Sequence, residues 1–140
     1  MKKNRGLNLK ENQDKKSNAE VMTVMMGINE LRGGYSAERA AKYYEEDIKP
    51  LIYSKKPVLL VQLPPVTDLK LKEEVKTMNN LLKEMADKYP NTRFVETWHK
   101  LRDIPHDKIF EADGYHYDRE KKGVEIVAEI INQKVNEAHE

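Results

Sequence analysis

The sequence predicts an α/β fold, a three-layer α/β/α sandwich built around a parallel sheet, and three observations lead there. Short, almost continuously apolar runs ended by glycine or proline read as strands covered on both faces. Stretches with apolar residues three and four apart, the mark of amphipathic helices, separate those runs. The alternation of the two implies parallel strands joined by right-handed helical crossovers.

The elements follow in order. Met1 to Glu20 is polar and periodic on neither template, with Leu7 and Leu9 its large apolar side chains after Met1. It is expected to be a polar arm ahead of an α/β domain spanning residues 21–140. "VMTVMMG", Val21 to Gly27, is the first strand. Ser36 is placed as the N-cap of a helix reaching Tyr53 and carrying Ala40, Tyr44, Ile48, Leu51 and Ile52 on one face. Pro50 is expected to kink that helix or end it early, because proline has no N–H to donate. "PVLLVQLPP", Pro57 to Pro65, repeats the buried-strand pattern and stops at the paired prolines. Between Asp68 and Tyr89, the residues Leu71, Val75, Met78, Leu82, Met85 and Tyr89 form one helical stripe. "TRFVETW" supplies a third strand, and Val124, Val127, Ile131 and Val135 mark the final helix.

Composition narrows the function classes. A chain of 140 residues suits one domain, and 39% hydrophobic against 35% charged residues at a net charge of +1 is a soluble globular profile. Lysines and arginines alternate with acids along helical faces, so no basic stripe for nucleic acid is present. The absence of cysteine excludes disulfides, thiolate catalysis and Cys-based metal sites. No apolar stretch follows the basic start, so neither a signal peptide nor a membrane anchor is expected and the chain as given reads as cytoplasmic.

In parallel sheets, ligand-binding groups collect beyond the carboxyl ends of the strands. The first strand ends in "GINEL": Gly27 permits close backbone approach, and the Asn29 amide offers donors to a developing oxyanion. In isolation such an asparagine is better read as bonding its own turn. The second strand ends in "QLPPV", whose prolines read as a rigid turn. The third leads to "DGYH", where the Asp113 carboxylate can accept the Nδ1 proton of His116 and leave Nε2 free as a base. The competing reading is a helix-capping aspartate beside a surface histidine. A metal site at His99, His106, Asp113 and His116 matches no recognised helical ligand pair, so no metal and no cofactor is expected.

Taken together, "GINEL", "VLLVQLPPV" and "DGYHYDREKKGVEIVAEII" resemble the third, central and fifth blocks of the SGNH (GDSL-type) hydrolases, over roughly residues 20–135. The sharpest part is Asp-x-x-His followed by a glycine-containing helix start. The resemblance implies a flavodoxin-like sheet and serine ester hydrolysis of the esterase or carbohydrate deacetylase type. It assigns the general base to His116, its orientation to Asp113 and the oxyanion hole to Asn29 with Gly27. Glu30 stands where the family more often has aspartate.

The family's first block, Gly-Asp-Ser, is absent, so the fold is expected to be truncated at its N-terminus and the nucleophile unassigned. "NRG", Asn4 to Gly6, faintly resembles the second block. Ser17 lies in the polar arm, Ser54 at the far end of a helix, and Ser36 is a candidate nucleophile better explained as a helix cap. Loss of the serine-bearing strand would leave the Val21–Met26 strand with an unpaired edge, which seeks a second copy or a complementing chain. Two readings therefore stand: an ester hydrolase domain whose serine lies outside this chain, with an acylated carbohydrate or small ester as substrate, or a noncatalytic assembly module that captures a partner through that edge. A phosphate or nucleotide binder would need a glycine-rich loop, and Gly33-Gly34 alone does not supply one.

Overall fold

A computed structural model describes residues 21–118 and 120–139, so the expected polar arm, "NRG" and Ser17 lie outside the described residues. Strands β1 (Met22–Val24), β2 (Val58–Val61) and β3 (Thr92–Val95) form a parallel sheet in the order β1-β2-β3. Met22 sits opposite Val58, and Val58 opposite Thr92.

Strand parity divides the core. Met22, Val24, Val58 and Leu60 join one apolar cluster with α2 (Ala37–Tyr53) and α3 (Leu69–Lys88), whereas Leu59, Val61 and Val95 join another with α5 (Lys122–His139). Helices thus cover both faces of the sheet, giving the three expected layers. All four β2 residues are at most 1% exposed, the reason "VLLV" shows no polar alternation. Across α2 and α3 the interface is filled by Tyr44, Ile48, Met78 and Leu82, all buried on the predicted stripes.

Three details differ from the sequence expectation. Pro50 neither ends nor shortens α2, which runs to Tyr53; Pro50 and Glu46, whose carbonyl it leaves without an amide partner, are both exposed residues of that helix. "GINEL" is itself helical: after Gly27 comes α1 (Ile28–Arg32), anchored by buried Ile28 and Leu31. The loop after β3 carries the short α4 (Trp98–Leu101) and a 3-10 turn at His106–Lys108.

Among the described residues β1 pairs with β2 alone, and Met25, just beyond it, is 48% exposed. No described helix is long and apolar enough to cross a membrane.

Candidate active site

The carboxyl ends of the strands are tied together by buried amides. The Gln62 side-chain oxygen accepts the backbone N–H groups of Thr97 at 2.9 Å and Trp98 at 3.1 Å, joining the end of β2 to the chain after β3. Asn79 Oδ1 accepts the Leu63 N–H at 2.8 Å and holds the same strand end to α3. The loops beyond therefore rise from a rigid base.

At the end of β1 the chain turns through Gly27 at φ +119°, a conformation glycine adopts without strain. A side chain there would also sit 3.3 Å from Met78 Cε. The turn starts α1, whose buried Ile28 and Leu31 leave Asn29 and Arg32, three residues apart, on the exposed side.

The "DGYH" tetrad lies at the tip of a tight turn rather than at a helix start. Phe110 and Tyr117 form an antiparallel bridge with rings stacked 5.8 Å apart, and Glu111 N–H donates to the His116 carbonyl at 2.8 Å. Gly114 occupies φ +78° at the apex. Asp113 Oδ1 accepts the Tyr115 and His116 N–H groups at 2.9 and 3.1 Å, which fixes the turn from inside. Helix α5 begins only at Lys122, so the helix-capping alternative for Asp113 does not describe this structure.

Asp113 Oδ2 lies 2.6 Å from His116 Nδ1, and His116 Nε2 lies 2.9 Å from Asn29 Oδ1. Asparagine, histidine and aspartate thus form one hydrogen-bonded line, although 87 positions separate Asn29 from His116. Both ring nitrogens face oxygen, which a doubly protonated imidazolium satisfies; turning the Asn29 amide over would instead present its NH2 to a neutral ring. Nε2 is therefore not free, as the sequence alone suggested, but partnered by Asn29. The hydrogen bond from His116 and, next, the Tyr115 N–H hold the Asp113 carboxyl well below the usual carboxylate range.

Residues that motif reading passed over complete the cluster. Arg32 lies 3.7 Å from Asp113 and stacks on the Tyr115 ring at 4.2 Å, while the Tyr115 hydroxyl donates to Asp68 at the cap of α3. The available signal was the three-residue step from Asn29 to Arg32 in a segment that proves helical. A mostly apolar cavity of about 160 Å³ opens beside the histidine, lined by Met25, Met26, Ile28, Leu63, Tyr115 and His116 among others.

The remaining candidates separate. Ser36 accepts the Arg39 N–H at 3.2 Å as the cap of α2, and Ser54 hydrogen-bonds the Leu51 carbonyl at the other end of that helix. Glu30 is buried at 4% exposure. His99 pairs with Glu96 and His106 stacks on Phe110, so neither joins Asp113 and His116. Glu111 does: its carboxylate, that of Asp113 and the His116 ring bring three possible metal-ligand atoms within 4.8 Å of one another.

Fold and site together define an α/β protein with an Asp-His pair at the carboxyl edge of its sheet. The chain matches no protein-family profile and no curated protein sequence. Among solved structures it is similar to a Streptococcus pneumonia protein described as a platelet activating factor, with TM-score 0.72, 20% identity, and coverage of 94% of this chain and 67% of that one. It is also similar to a mutant acetyl esterase solved with acetate, at TM-score 0.70 and 14% identity over 88% of this chain and 60% of that one. A carbohydrate esterase family 3 protein from Talaromyces cellulolyticus gives TM-score 0.69 and 15% identity over 93% and 63%. At these identities the likeness is one of fold, and this chain spans about 60–67% of the length of those proteins.

Proposed function

We propose that this chain is an SGNH-like ester hydrolase domain that carries the acid–base and oxyanion half of the site, with the serine nucleophile supplied by a segment outside it. The observation that carries this reading is the line Asn29–His116–Asp113, three side chains from a short helix and a distant turn meeting beside a small apolar cavity. The fold shared with two esterases supports it, as does their greater length.

In the complete site, a serine hydroxyl takes the place at Nε2 that Asn29 now holds. His116 accepts its proton as the oxygen bonds to the ester carbonyl carbon, and Asp113 stabilises the resulting imidazolium. The displaced Asn29 amide, with the Gly27 backbone, turns its donors to the oxyanion. His116 returns the proton to the leaving alcohol, and water then releases the acyl group by the same steps. The cavity's size and apolar lining favour a small acyl group, such as acetyl on a carbohydrate or other small alcohol.

The chain by itself is expected to hydrolyse p-nitrophenyl acetate no faster than its His116→Ala variant. A His116-dependent rate in the isolated chain would overturn the assignment of the nucleophile to another segment.

A second reading rests on the β1 edge, unpaired among the described residues, and exposed Met25: a noncatalytic assembly module that pairs with a second copy or a complementing chain. It expects Met25→Lys to dissolve an assembly seen by sedimentation. A wild-type monomer that captures no complementing chain removes it.

A further inference from the structure

We propose a second ligand site, independent of the hydrolase reading: a pocket for an anionic group carried on an apolar body. It lies between the loop after β2, the start of α3 and the chain after β3, and shares no lining residue with the His116 cavity. Its volume is about 260 Å³.

The rim is basic. Lys72 and Lys76 come from successive turns of one α3 face, Arg102 from the end of α4, and His106 from the 3-10 turn. Of the acids nearby, Glu73 lies 3.9 Å from Lys76, while among the described residues no carboxylate pairs with Lys72 or Arg102. The floor is apolar, with Val66, Val75 and Leu101 each at most 4% exposed. Trp98 forms a fixed wall, because its Nε1–H donates to the Leu63 carbonyl at 2.7 Å.

The Asp68 cap, whose Oδ1 accepts the Lys70 N–H at 2.8 Å, already meets the positive end of α3. An anion in the pocket would meet Lys72, Lys76 and the Arg102 guanidinium, which can bind an oxyanion through two parallel N–H groups. The dry floor and indole wall favour a ring or short chain attached to that anion over the free ion.

Trp98 is the chain's one tryptophan, so its fluorescence reports on this pocket directly. Titration with phenyl phosphate is expected to give a saturable change, with inorganic phosphate weaker and phenol without effect. Benzoate and phenyl phosphate compared side by side assign the anion to carboxylate or phosphate, and saturation by either supports the site. The pair Lys72→Glu and Arg102→Glu should weaken binding more than about tenfold, the scale of one charge-assisted contact. Lys42→Glu, a charge reversal on α2 away from the pocket, should leave it unaltered. Where the double reversal does not fold, Lys72→Gln with Arg102→Gln serves the same purpose. No saturable response up to about 10 mM ligand, an equal response in the pocket variants, or one reproduced by sodium chloride at matched ionic strength would overturn the proposal. No ester is cleaved in this measurement, so failure of the hydrolase reading leaves its outcome unaffected.

Discussion

His116 is held from both sides, by an acid that its own loop supplies and by an amide from the far end of the chain. The first partnership is local: an aspartate three residues before a histidine, with glycine between, folds into a turn whose geometry is settled by the Asp113 side chain itself. It also sets a pH dependence. The folded Asp113 carboxyl lies below its ordinary value of 3.8, so its contribution to stability is complete above that value and is lost only as pH falls toward the depressed one. Asp113→Asn should therefore melt lower than wild type at neutral pH, and the gap should narrow as pH drops well below 3.8, read by thermal unfolding across pH. Arg32→Ala removes an exposed ion pair and the stack on Tyr115, and should change unfolding free energy by less than about 1 kcal/mol. The Asp113–His116 pairing was legible because the motif is contiguous; the roles of Arg32, Tyr115 and Asp68 were not, since three segments far apart along the chain bring them together.

Elements account for the glycines that motif reading treats as markers. Gly123 sits in the first turn of α5, and an added Cβ would lie 2.8 Å from Ile109 Cγ1 and 2.9 Å from its Cα. Backbone cannot yield as a flexible side chain can, so Gly123→Ala should destabilise by about 1–3 kcal/mol, measured by urea unfolding. Its position draws α5 against the segment that leads into the "DGYH" turn. Gly27→Ala should be destabilising by a similar amount, about 1–3 kcal/mol, from its positive φ as well as the approach to Met78. Long helices were readable because each carries a full apolar stripe over several turns. Short α1 and α4 were not, because four or five residues show too little of any period, and burial of Ile28, Leu31 and Leu101 rather than helical propensity holds them. Pro50 misled for a related reason: one missing hydrogen bond near the exposed end of a packed helix is outweighed by buried Ile48, Leu51 and Ile52 around it.

At the scale of the molecule, two unequal cores hold the layers together. Leu82, fully buried in the core shared by α2, α3 and the sheet, should cost about 2–5 kcal/mol when replaced by alanine. Ile130→Ala on the other face should cost less, because its cluster is smaller and its side chain keeps 5% exposure. Equal losses in urea unfolding would show that α5 is as firmly anchored as the opposite layer. By itself the sequence determined the parallel three-layer fold, because buried strands and striped helices write their environment into neighbouring residues. It also determined the Asp-His pair, whose geometry closes within four residues. Only tertiary structure decided that Asn29 occupies the histidine's second nitrogen and that basic residues from α3 and the chain after β3 ring a separate pocket. Those are contacts between segments far apart along the chain, and no local period encodes which of them a parallel sheet will bring face to face.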